Sequence, residues 1–134
     1  MIGILVISHG DLGNSLIKCA NHVIGKRSEH LVHLGVPIQD DPDVIILNAL
    51  ELFKQLDCGD GVLILSDICG ATPCNIATEL VNPGRVECLS GVNLSMLIRA
   101  LTYREESLES LVEKASSGGK EGVMRIYSRS DNAN

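Results

Sequence analysis

The chain has 134 residues, 45% hydrophobic and 21% charged, a balance that builds one packed domain rather than a disordered segment. A net charge of −6 and only three aromatic residues, Phe53, Tyr103 and Tyr127, exclude nucleic acid as the expected partner, since phosphate backbones need a basic face and bases need stacking rings. The five cysteines, Cys19, Cys58, Cys69, Cys74 and Cys88, are scattered without a CxxC pair, so they read as intracellular thiols and no metal is expected.

The first eleven residues carry the strongest local signal. An apolar run over residues 2–7 stops at Ser8-His9-Gly10-Asp11, and a helical pattern follows through Leu12, Leu16, Ile17, Ala20, Val23 and Ile24. The run is too short for a membrane span and has no basic residue before it as a signal peptide would, so a cytoplasmic protein is expected. Residues 30–36 read as a second strand. After the turn from Pro37 to Pro42, Ile45, Ile46, Ala49, Leu50, Phe53 and Leu56 mark a second helix. Residues 62–65 form a continuous apolar run, the pattern of a parallel strand covered on both faces, and it ends at Ser66-Asp67.

Thr72-Pro73 then predicts a helix start with a hydroxyl cap and a proline in the first turn, continued by Ile76, Ala77 and Leu80. Residues 85–89 give a fourth strand. Asn93 caps a fourth helix carrying Met96, Leu97, Ala100 and Leu101, and Ser107 begins a fifth with Leu108, Leu111, Val112 and Ala115. Ser116-Ser117-Gly118-Gly119 reads as a break before a last strand over residues 123–127.

Strand–helix units in series predict an α/β fold, a doubly wound and mostly parallel sheet with helices on both faces. The flavodoxin-like order 2-1-3-4 puts its switch point between strands 1 and 3, and ligands bind where those strands end. The residues that end them are His9 and Asp67. A carboxylate beside a histidine fixes the ring tautomer and leaves the other nitrogen nucleophilic. Two helix N-termini open on the same crevice and favour an anion, for which a phosphoryl group is the natural candidate. In the loop from Asp67 to Pro73, small residues admit close backbone approach and Thr72 adds a hydroxyl. The candidate phosphoryl-binding residues are Gly10, Gly70, Ala71 and Thr72. Leu94 and Met96 are read either as part of a docking patch or as ordinary helix packing. His22, His30 and His33 lie away from the switch point and are read as surface or packing histidines.

With these residues in place, the chain resembles the mannose-type enzyme IIA component of the bacterial sugar phosphotransferase system. The likeness rests on Ile-Leu-Val-Ile-Ser-His9-Gly, on Asp67-Ile-Cys-Gly-Ala-Thr72-Pro, and on Gly91-Val-Asn93-Leu-Ser-Met96, and it covers essentially the whole chain. It implies a phosphocarrier in which His9 accepts a phosphoryl group from HPr and passes it to enzyme IIB, with Asp67 supporting the ring and no cofactor. It further implies indirect service to membrane IIC and IID components, and a homodimer in which residues 123–127 add antiparallel to the sheet of the other subunit. Because no IIB-like segment follows residue 134, the acceptor is expected on a separate chain. Cys69, Ala71 and Ser95 depart from the family pattern, and Ala71 would narrow the anion pocket if its backbone needed a positive φ.

Other readings of the fold stand beside this one. A receiver domain would use Asp67 as acceptor, but the turn after strand 1 offers only Asp11 to help hold magnesium. A nucleotide or flavin module would need a GxGxxG or GxxxxGK[ST] loop or a stacking ring at the switch point, and the chain has none. No feature of the sequence separates the sugar-transport reading from a regulatory or dihydroxyacetone-kinase-linked phosphocarrier of the same family.

Overall fold

The computed structural model describes residues 1–37, 41–68 and 71–129. Nine elements follow in chain order: β1 (Gly3–His9), α1 (Leu12–Ile24), β2 (Leu31–Val36), α2 (Pro42–Leu56), β3 (Val62–Ser66), α3 (Thr72–Leu80), β4 (Val86–Leu89), α4 (Leu94–Thr102) and α5 (Leu108–Glu121). All strand pairings are parallel, in the order β2-β1-β3-β4. The predicted topology is therefore present, with β1 and β3 at its centre.

The apolar runs form parallel strands because both faces of each are buried and successive side chains alternate between two cores. Ile4 and Val6 of β1 and Leu63 and Leu65 of β3 pack with α1, α4 and α5 on one face. Leu5, Ile7, Val62 and Ile64 pack on the other face with α2 and α3. This alternation fixes register, since a one-residue slip would exchange the two sets. Register in turn sets the site: His9 stands opposite Val36 and Ile7 opposite Ser66, so β1 reaches past the end of β3.

Two expectations are corrected. First, Thr72 is not the cap of α3: Ala71 holds that position, in extended backbone with φ −95°, and no side chain caps the helix. Thr72 is instead the first residue of the helix and is exposed, and Pro73 beside it supplies a φ already set for the first turn. Second, Ser116 to Gly119 do not break α5, which continues to Glu121. Gly118 and Gly119 are buried, and a Cβ on either would come within 2.7 Å of Arg99 or Met96 of α4. They are glycine because α4 and α5 pack closely, not because the chain turns.

Residues 123–127 form no strand with the described residues and expose Val123, Met124, Ile126 and Tyr127. The sheet accordingly has four strands among the described residues. Among the described residues no helix is long and apolar enough to cross a membrane.

Candidate active site

The site is built at the carboxyl ends of β1 and β3. Burial of the apolar residues along both strands anchors them, and the first polar side chains beyond the core meet where the strands stop. His9 Nδ1 lies 2.7 Å from Asp67 Oδ2, and the same carboxylate oxygen accepts the His9 backbone N–H at 2.9 Å. Asp67 Oδ1 accepts the N–H of Ile68 at 2.9 Å. The histidine side chain is 50% exposed and the aspartate only 6%. Burial pushes the Asp67 carboxyl up, but the hydrogen bonds from the His9 backbone, the His9 ring and Ile68 outweigh it and hold the pKa below its ordinary value. Asp67 is thus an anion near neutral pH, and an anion on Nδ1 keeps a proton there and leaves Nε2 as the basic nitrogen.

Backbone bonds from the β4–α4 turn hold the end of β3 in place. Gly91 N–H donates to the Asp67 carbonyl at 2.8 Å and Val92 N–H to the Ser66 carbonyl at 2.9 Å. The Ser66 hydroxyl is fully buried and has no hydrogen-bond partner among the described residues. On the other side, Gly10 has φ +47°, a conformation that favours glycine, and its N–H reaches the Val36 carbonyl at 3.3 Å.

The two helices that start at this site differ from the others. α2, α4 and α5 are capped by Asp41, Asn93 and Ser107, whose side chains each accept a first-turn N–H. α1 and α3, which follow β1 and β3, have no cap side-chain bond and no acidic residue in their first turns. At α3, whose cap is Ala71, the first amides are thus not screened by a carboxylate, the condition under which a helix end attracts an anion, whereas the α1 start carries Asp11 as its cap residue and its Gly13 N–H is bound by Ser8 Oγ. The negative φ of Ala71 means that its methyl group costs no left-handed strain. Gly70 lies outside the described residues, as does Cys69.

Of the residues expected here, His9, Asp67, Gly10, Ala71 and Thr72 lie at one end of the sheet. Leu94 is half-buried, whereas Met96 is 5% exposed and sits in the core with its methyl over Gly119, so packing describes Met96. His22 is exposed on α1, and His30 bonds the Gln55 carbonyl at the opposite end of the sheet. His33 is half-buried in β2, and its Nε2 is 3.4 Å from Ser8 Oγ, the residue before His9. Ser8 itself was not singled out, yet its buried hydroxyl accepts the Gly13 N–H at 2.8 Å. The signal for both lay in Gly13 and Gly35, small residues on neighbouring elements that leave space for a ring. Leu12 and Ile68, exposed beside His9 and Asp67, were also passed over.

Over residues 3–116 the chain matches a family model described as EIIA-man, PTS system fructose IIA component. It is 29% identical over 131 residues to the PTS system mannose-specific EIIAB component of Escherichia coli strain K12, covering 96% of this chain and 40% of that protein. It is 28% identical over 108 residues to the PTS system fructose-specific EIIA component of Bacillus subtilis strain 168, covering 78% and 72%. In fold it is similar to the mannose/sorbose specific IIA subunit of the phosphotransferase system from Enterococcus faecalis, with TM-score 0.83 and 21% identity over 95% of this chain and 96% of that one.

Proposed function

Because the chain belongs to the mannose-type enzyme IIA family of the phosphotransferase system, and so is a phosphotransferase component of the mannose and fructose class, we propose that it carries a phosphoryl group on His9. The observation that carries this reading is the 2.7 Å contact between His9 Nδ1 and the buried Asp67 carboxylate, beside a half-exposed imidazole. His9 Nε2 attacks the phosphorus of the phosphohistidine on HPr; the new N–P bond forms as the donor's N–P bond breaks, and the donor nitrogen keeps the electron pair. Asp67 holds the Nδ1 proton and offsets the positive charge that grows on the ring. The amides at the starts of α1 and α3, near Gly10, Ala71 and Thr72, bind the phosphoryl oxygens, and Gly70 belongs to the same loop. The reverse geometry then delivers the group to a histidine of enzyme IIB.

Docking uses the apolar rim formed by Leu12 and Ile68, with Leu94 at its edge, and the net charge of −6 suits basic partner surfaces. The whole chain acts as one phosphocarrier domain in the cytoplasm, as a homodimer joined through residues 123–127, and feeds the IIC and IID membrane components through IIB. In the test, the protein is incubated with phosphoenolpyruvate, enzyme I and HPr, and its label is located. Acid-labile, base-stable phosphate that is lost in His9→Ala and retained in His22→Ala and His30→Ala supports the reading. Unchanged labelling of His9→Ala overturns it.

A further inference from the structure

Behind the His9–Asp67 pair stands an imidazole that the phosphoryl step does not use. His33 lies in the middle of β2, opposite Val6 of β1, and its ring reaches the turn that joins β1 to α1. There its Nε2 comes within 3.4 Å of Ser8 Oγ. Ser8 Oγ in turn accepts the Gly13 N–H at 2.8 Å, and Gly10 N–H reaches back to the Val36 carbonyl at 3.3 Å.

Two glycines make this arrangement possible. A Cβ on Gly13 would come within 2.5 Å of the His33 ring carbon Cδ2. A Cβ on Gly35 would come within 2.4 Å of the Gly10 carbonyl oxygen and 3.2 Å of His33 Cε1. The ring thus has side-chain room only because both neighbours are glycine, and the half-buried ring gains from the hydrogen bond it makes there. Burial lowers the His33 pKa from its ordinary value, against the opposing pull of the Asp11 carboxylate, so the ring is neutral at pH 7.

We propose that His33 is a positioning residue for His9: by holding the Ser8 hydroxyl and filling the slot between Gly13 and Gly35, it fixes the turn that keeps His9 on Asp67. The inference rests on the reading of His9 as the phosphoryl acceptor. Both contacts of the pair pass through residue 9, one from its ring and one from its backbone N–H, so a shift of the turn loosens both. Small misplacements of reacting groups cost rate steeply.

The test compares His33→Phe, His33→Leu and His33→Gln with the parent and with His9→Ala, at matched thermal stability. The first two variants remove the donor; glutamine keeps one of similar reach. The readouts are the single-turnover rate of transfer from phospho-HPr and the nitrogen chemical shifts of the His9 ring, which report its tautomer independently of turnover. Loss of the donor is expected to slow transfer by about tenfold to a hundredfold and to mix the His9 tautomers, while glutamine stays within about threefold of the parent. A folded donor-less variant that transfers at the parental rate, or a folded glutamine variant as slow as His33→Phe, overturns the inference. If neither donor-less variant folds, the glutamine variant decides it alone: transfer within about threefold of the parent with a single His9 tautomer supports the inference, and transfer slower than the parent's by about tenfold or more overturns it. Parental labelling of His9→Ala would defeat the functional reading instead, and the tautomer signals would still judge the role of His33.

Discussion

Asp67 makes three hydrogen bonds with two oxygens, and all three donors lie in residues 9 and 68. Its replacement by asparagine keeps the shape and removes the charge. Asp67→Asn is expected to fold and to slow transfer to His9 by about tenfold or more, because the ring loses its tautomer lock and its counter-charge. Rapid-quench measurement of the first turnover checks this. The carboxyl also links stability to pH. Its folded pKa lies below the ordinary 3.8, so it stabilises the fold above that value and the contribution disappears as pH falls through the folded pKa. Urea titrations should therefore show the parent more stable than Asp67→Asn at pH 7, with the gap closing below about pH 4. His9 and Asp67 were legible in the sequence because each is the first polar residue after an apolar strand and one topology brings those strand ends together. Ser8 and His33 were not, because their meeting depends on which side of β2 faces α1 and on room left by Gly13 and Gly35, neither of which periodicity reveals.

The α4–α5 pair shows what element-scale reading gains and loses. Asn93 was legible as a cap, and its Oδ1 accepts the Met96 N–H at 2.8 Å while its Nδ2 donates to the Gly119 carbonyl at 3.0 Å. The second bond ties the start of α4 to the last turn of α5 and could not be foreseen while Gly118-Gly119 read as a loop. Turn chemistry and close helix packing use the same residue type, so only the contact distinguishes them. Asn93→Ala should cost about 1 kcal/mol or more in chemical denaturation, since it removes the cap and the bridge together. The two glycines should respond differently. At Gly118 the obstacle is the Arg99 Cβ, which cannot move without its helix, whereas at Gly119 it is the end of the flexible Met96 chain. Gly118→Ala is therefore expected to destabilise by about 1–3 kcal/mol. Gly119→Ala should come out near neutral, because the helical preference for alanine, about 1 kcal/mol, offsets the shift of the methionine.

At the scale of the whole molecule, the sheet order read from the sequence matches the structure because β1 and β3 are apolar on both faces and must lie at the centre. Residues 123–127 follow α5 with Val123 80% and Ile126 87% exposed, and β4 is the last strand on its side of the sheet among the described residues. An exposed apolar segment of this kind would suit addition to the sheet edge of a second copy in a two-fold assembly. The full chain is expected to be dimeric by light scattering, and a version ending at residue 121 monomeric. A full chain that remains monomeric at tens of micromolar would remove that part of the account.

In the proposed relay Asp67 occupies Nδ1 of His9 and leaves Nε2 to carry the phosphoryl group. Phosphorus–proton correlation spectroscopy of the protein phosphorylated through HPr tests it directly, because the couplings of the two ring protons identify the nitrogen that bears phosphorus. A single phosphohistidine, at position 9 and linked through Nε2, is the predicted result. A phosphoryl group on Nδ1, on another histidine, or on Asp67 as a hydroxylamine-sensitive acyl phosphate would contradict it.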